Sequence, residues 1–238
     1  MPRPKDHVYW EKVHNTAKSN RAFILSTGPS IAAIDVEPLR EEFTVGINQL
    51  YRWKGLPFIP SAWAACEYDD LYKVAGDIAH LKIPKWFAHP VWHTYNSMQP
   101  DFKPDKYWNW IHTDSHCNFA GHPPKWKGIT DIMGLADEFW RVAVGYTPVL
   151  APAIPALVWM GFREIYLLGV DHTEENHVYA SDGQRNQLIK AANKSFATRV
   201  PELEKHGVVV RNCSPDSLAP VPYVPYEEVI GATIGGNT

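Results

Sequence analysis

The chain has 238 residues, 45 % of them apolar, which is enough for one large domain with a sizeable core. A formal net charge of −3 argues against a general nucleic-acid binder, which carries a basic face. Cys66, Cys117 and Cys213 lie too far apart for a disulfide framework or a CxxC pair, which suggests a reducing, cytoplasmic setting. No apolar signal core follows the N-terminus. The longest apolar run, 149–160, is broken by Pro152 and Pro155, so no transmembrane segment is expected.

Residues 1–20 are polar and read as a loose arm or a short helix, with Tyr9, Trp10 and Val13 as docking points. Residues 22–27 form a short apolar strand that stops at the turn Gly28-Pro29-Ser30. Apolar residues at Ile31, Ile34, Val36 and Leu39 predict a short helix to about Arg40. Phe43 to Ile47 reads as a second strand ending at Asn48, and Ala62 to Cys66 as a third ending at Glu67-Tyr68-Asp69-Asp70. Leu71, Val74, Ile78 and Leu81 have helical spacing, and residues 85–88 suit a fourth strand.

From His89 the pattern breaks down. The chain carries 10 Trp and 20 Pro, concentrated in its middle, and that density is too aromatic for disorder. A lid-like insertion at about 89–128 is expected, rich in Trp and His. Regularity returns with an amphipathic helix from Ile129 to Ala143 and a buried apolar helix from Pro152 to Met160. Glu164 to Val170 is the clearest strand, apolar throughout as a central parallel strand should be, and it ends at Asp171. A helix from about Gln184 to Glu204 and a strand at 208–210 close the core. The tail from Pro215 is proline-rich, then glycine-rich, and is expected to lie partly on the surface.

Strands alternating with helices give an α/β, Rossmann-like fold, a mostly parallel sheet flanked by helices, in one domain spanning 1–238. Thr27, Gly28, Asn48, Glu67 and Asp171 all stand just beyond strand ends. Ligands of open α/β sheets bind at that carboxyl edge. Gly28 lets backbone approach an anion, Pro29 suits a first helical position and Ser30 offers a hydroxyl, so the turn reads as a phosphate cradle. Asn48 has amide donors and a carbonyl that suit a base or ribose edge. Asp171 suits a ribose, a metal or a cap, and Glu67, Asp69 and Asp70 suit Mg²⁺ or a helix cap. His172 and His177 flank a loop that carries Tyr179, and His177 is the candidate general base. Arg185 is placed to meet phosphate or solvent. His89 with His93, and His112 with His116, have a metal-ligand spacing, with Cys117 and His122 nearby. Pro90 and the weak periodicity around them favour a lid or acceptor surface with Trp92, Trp108, Trp110 and Trp126 instead, and no metal site is assigned.

Four stretches together resemble a known family. They are Leu25-Ser26-Thr27-Gly28-Pro29-Ser30-Ile31, Gly46-Ile47-Asn48-Gln49-Leu50-Tyr51, the run from Gly161 through Asp171 to Tyr179, and Asn212-Cys213-Ser214-Pro215-Asp216-Ser217-Leu218. Their order and wording are similar to the bacterial lipooligosaccharide sialyltransferases and to a wider group that includes pterin diphosphokinases. The resemblance implies a nucleotide held by Thr27, Gly28, Pro29, Ser30 and Asn48, with Asp171 nearby and Tyr179, eight residues on, at the donor phosphate. It implies a CMP-sugar as donor substrate, a glycan or small molecule as acceptor, and no firm cofactor. A homo-oligomer is compatible with it. The diphosphokinase alternative would use ATP and Mg²⁺, and a non-catalytic nucleotide or sugar binder is the third reading. The chain departs from the sialyltransferase pattern in places. Thr27 replaces an asparagine, Thr173 a second tyrosine, and Tyr146-Thr147-Pro148 stands where a Thr-Ser-Gly donor motif belongs. The family's later histidine has no match before His206.

Overall fold

A computed structural model describes residues 4–65, 76–88, 108–111, 147–173 and 186–234. Seven short strands form its centre: β1 (Arg21–Leu25), β2 (Thr44–Ile47), β3 (Ala62–Ala65), β4 (Lys85–Ala88), β5 (Trp108–Ile111), β6 (Glu164–Leu168) and β7 (Val209–Asn212). They join in one sheet in the order β5-β4-β3-β2-β1-β6-β7, and every neighbouring pair is parallel. Parallel strands need both faces covered, and the strand sequences meet that need. Ala22 and Ile24 point to one core, while Phe23 and Leu25, one residue out of step, point to the other.

The first core is closed by a π-helical turn (Val149–Ala153) that runs into helix α2 (Ile154–Met160), and by helix α3 (Asn186–Lys205). Every residue of α2 is buried, as its unbroken apolar run requires. Gly161 ends it in a left-handed conformation (φ 107°), and its N–H bonds back to the Leu157 and Val158 carbonyls. Phe196, Val200 and Leu203 of α3 fill the same core from further along the sheet. The second core takes Ile31, Val36, Leu39 and Leu50 from the connections around β2, and Tyr226 and Val229 from helix α4 (Tyr226–Ile234).

Six strands lie where the apolar runs place them. The seventh, β5, falls inside the segment expected to be irregular. Its Trp-Asn-Trp-Ile run is rich in strand-prone side chains, but four residues are too few to stand out among so many other aromatics. The rest of the expected insertion, the helix expected at 129–143 and most of the helix expected at 71–81 lie outside the described residues. The segment after Gly28 corrects an expectation. It forms two five-residue 3₁₀ helices, Pro29–Ala33 and Glu37–Glu41, and not one α-helix. Asp35 accepts a hydrogen bond from the Glu37 N–H, and Pro38 restarts the chain in the second turn, so no continuous α-helical ladder forms. The tail is also more regular than its composition suggests, since α4 grows from Tyr226, whose hydroxyl donates to the Asp35 carbonyl.

The N-terminal arm is helix α1 (Pro4–Val13), and it is bolted to the first core. Trp10 is 6 % exposed. Its carbonyl accepts the Trp159 indole N–H at 2.6 Å, and Trp86 donates to the Tyr9 hydroxyl at 3.0 Å. Burial pushes the Tyr9 phenol up to about 12, so the ring stays neutral where it packs. Among the described residues no helix is long and apolar enough to cross a membrane. Trp10→Ala should therefore destabilise the fold by about 3–5 kcal/mol, read as a lowered unfolding midpoint in denaturant.

Candidate functional site

The strand order marks where a ligand site is to be sought. From β1 the chain builds outward through β2, β3, β4 and β5, then returns to the other side of β1 with β6 and β7. The reversal lies between β1 and β6. A switch point of this kind, at the carboxyl ends of the strands, is where open α/β sheets bind ligands.

At that point the two strands do not splay apart at their ends. Leu25 pairs with Leu168, and the ladder runs on past the strands. The Ser26 N–H donates to the Leu168 carbonyl at 2.7 Å, and the Gly28 N–H to the Gly169 carbonyl at 2.8 Å. Asp171 then closes the turn. Its Oδ2 accepts the Ser30 N–H at 2.8 Å and its Oδ1 accepts the Ser30 hydroxyl at 2.5 Å. The carboxyl is nearly buried, with the residue 5 % exposed, so these bonds replace lost water directly.

The glycines follow from this closure. Gly28 has an ordinary extended backbone (φ −67°, ψ 151°), so no unusual dihedral demands it. Space does. A Cβ at position 28 would lie 2.5 Å from both Asp171 Oδ2 and the Gly169 carbonyl oxygen. Gly169 has φ +70°, in the left-handed region, and a Cβ there would meet the Ser26 carbonyl at 2.9 Å. The anion that Gly28 admits is one the chain supplies.

A second layer holds Asp171 from below. Ser214 Oγ accepts the Gly169 N–H at 3.2 Å and lies 2.8 Å from Ser30 Oγ. Ser30 has one hydroxyl proton, and the carboxylate takes it, so Ser214 donates to Ser30. Asn212, the last residue of β7, accepts the Ser214 N–H at 3.1 Å and donates to the Val170 carbonyl at 2.9 Å. Ser217 donates to the Val170 carbonyl at 2.7 Å, and the Leu218 N–H donates to the Asp171 carbonyl at 2.8 Å. Sequence reading gave Asn212, Ser214 and Ser217 no role. The signal was their place just past the last strand, beside the same edge.

Thr27 and Asn48 flank this network on the β2 side. The register that sets Leu25 against Gly46 puts them level with each other. Thr27 is 6 % exposed and Asn48 8 %. Asn48 has φ +46°, a conformation asparagine tolerates. Its N–H donates to the Ala64 carbonyl, and its carbonyl accepts the Trp63 indole N–H at 2.8 Å. His172, on the other flank, also has a positive φ (53°). Its Nδ1 lies 2.5 Å from Asn193 Oδ1 on α3, and its ring meets Phe196 edge-on.

Solved structures share this architecture, although no family model and no curated protein matches the chain. The sialyltransferase CstII from Campylobacter jejuni, in complex with the substrate analogue CMP-3FNeuAc, matches with a TM-score of 0.51 at 15 % identity, over 87 % of both chains. An asparagine-to-alanine variant of CST-II in complex with CMP matches with a TM-score of 0.52 at 15 % identity, over 86 % of both chains. The fold is sialyltransferase-like.

Within this sialyltransferase-like fold, Thr27, Gly28, Pro29, Ser30, Asn48 and Asp171 gather on one edge of the sheet. The 3₁₀ turn after Gly28 has too few aligned peptides to act as the helix N-terminus that the cradle reading invoked. His177, Tyr179 and Arg185 lie outside the described residues, as do Glu67, Asp69, Asp70, Cys66, Cys117 and the histidines at 89, 93, 112, 116 and 122. Trp92 and Trp126 do too, while Trp108 and Trp110 belong to β5. Among the described residues no group of three or more His, Cys, Asp or Glu side chains stands together as a metal site.

Asp171→Asn keeps the size of the side chain but sets an amide N–H₂ against one of the two Ser30 donors. It should cost about 1–3 kcal/mol, read by chemical denaturation against the wild-type chain.

Proposed function

We propose that this chain is a transferase that uses a nucleotide-activated donor, most concretely a CMP-sugar-dependent glycosyltransferase of sialyltransferase type. One observation carries the reading. Thr27 to Ser30, Asn48 and Asp171 converge at the switch point of a sheet whose fold matches sialyltransferases solved with CMP and a CMP-sugar analogue.

The roles follow from where each group stands on that edge. Both Ser30 donors are committed to Asp171 and the Gly28 N–H to the Gly169 carbonyl, so Gly28, Pro29 and Ser30 shape the turn, and the donor meets Thr27 beside it. Asn48 reads the nucleoside with its amide. Tyr179 donates its hydroxyl to the donor phosphate, where charge builds as the bond breaks. In the reaction the acceptor hydroxyl oxygen bonds to the anomeric carbon. The bond from that carbon to the phosphate oxygen breaks, and CMP leaves with the electron pair. A histidine of the loop after Asp171, His177 in the sequence reading, takes the acceptor proton. The chain acts in the cytoplasm on a nucleotide sugar and a glycan or small-molecule acceptor, without nucleic acid.

A thermal-shift panel of CMP, CDP, UDP, GDP, AMP and ATP, each with and without Mg²⁺, tests this reading. A ligand that binds only the native state raises its melting temperature, by an amount that grows with ligand concentration over Kd. CMP should shift it, to the same extent with and without Mg²⁺. A shift only with ATP or AMP, and only with Mg²⁺, would move the chain to diphosphokinase chemistry. CMP binding with no turnover of any CMP-sugar would make it a binding protein.

A further inference from the structure

Trp63 stands on β3 opposite Gly46 of β2, and it is 1 % exposed. Its indole lies across Gly46. A Cβ at position 46 would come within 2.9 to 3.1 Å of three of its ring carbons, so glycine is what gives the ring its path. That path leads along β2 toward the carboxyl edge. At its end the indole Nε1–H donates to the Asn48 carbonyl at 2.8 Å, in a buried hydrogen bond.

Position 48 is where β2 leaves the sheet. The Asn48 N–H continues the ladder, donating to the Ala64 carbonyl at 2.9 Å. Its φ of +46° then turns the chain toward the single 3₁₀ turn Leu50–Arg52. Asparagine tolerates that left-handed conformation, but the surroundings have to hold it there. Both backbone groups of Asn48 are tied to β3, the N–H through the ladder and the carbonyl through Trp63. Tyr51, from the 3₁₀ turn, leans on the same indole with ring centroids 6.1 Å apart.

An indole N–H only donates, so the direction of this bond is fixed. A buried carbonyl that loses such a donor gains no water in exchange. The backbone angles at Asn48 in turn set the direction in which its own side chain leaves the chain. We propose that Trp63 is a positioning residue for the nucleotide: by holding the Asn48 carbonyl, it fixes the turn from which the Asn48 amide reaches the nucleoside. This rests on the reading of the edge as a nucleotide site. Trp63 lies in the second core with Phe23, Leu25 and Leu50, too deep to meet a ligand itself. Packing behind β2 therefore tunes affinity in front of it.

The test measures CMP binding to the full chain by calorimetry. Trp63→Phe keeps an aromatic ring and deletes the N–H. It should weaken CMP by about tenfold, the worth of one net hydrogen bond. Asn48→Ala should weaken CMP at least as much. Adding Trp63→Phe to Asn48→Ala should cause no further loss, because Trp63 acts only through the Asn48 amide. A Trp63→Phe chain that binds CMP as tightly as wild type overturns the proposal. So does an equal loss from Trp63→Phe in both backgrounds, since Trp63 would then act elsewhere. The wild-type chain supplies a second readout that no misfolded variant can obscure. During a CMP titration followed by NMR, the Trp63 Nε1–H resonance should shift with the same Kd as the Asn48 amide. An indole resonance that stays in place while the Asn48 amide saturates overturns the proposal alone. A wild-type chain that does not bind CMP overturns the nucleotide reading itself.

Discussion

The carboxylate of Asp171 holds the ends of β1 and β6 together. It is nearly buried, and its two oxygens take the two donors of Ser30, one backbone and one side chain. A buried charge of this kind is tolerated only when its hydrogen bonds are complete. Completing them fixes everything near it. Position 28 must be glycine to leave room, Gly169 must turn left-handed, and Ser214 and Asn212 must reach across from the end of β7. His172, the next residue, has a positive φ of 53°.

The sheet sets the stage for that interaction. Both faces are apolar, one under α2 and α3 and the other under the 3₁₀ connections and α4. With its faces covered, the sheet leaves polar groups clear access at its edges and ends. The reversal of strand order between β1 and β6 gathers the loops of β1, β2 and β6 at one end. Rigid strands behind a short polar edge suit a binding site.

Much of the framework was legible in the residues. Phe23 to Leu25 and Ile165 to Leu168 announce buried strands by their unbroken apolar character, and Pro152 to Met160 announces a buried helix. That the polar residues past those strands gather at one edge was legible too, because the ends of parallel strands share it. Other features were not. β5 is four residues long and lies among aromatics that carry no period. The carboxylate that fills the turn after Gly28 could not be read there, because Ser30 and its partner Asp171 are 141 residues apart in the chain. No local pattern reports a contact at that distance. For the same reason Asn193, which lies on a plainly amphipathic helix, gave no sign that it faces His172. Local propensity shows which elements form. The pairing of loops across the sheet depends on topology, which the sequence reports only through strand order.

The central claim is that this braced edge is a nucleotide site. Backbone amide chemical-shift mapping of the full chain during a CMP titration tests it most directly. The perturbed amides should be those of residues 27, 28, 30, 48 and 169–172, with Asn20, Ser61 and Val209, at the opposite end of the strands, unmoved. Saturable shifts on that second set, or no saturable shift at all, would contradict the claim.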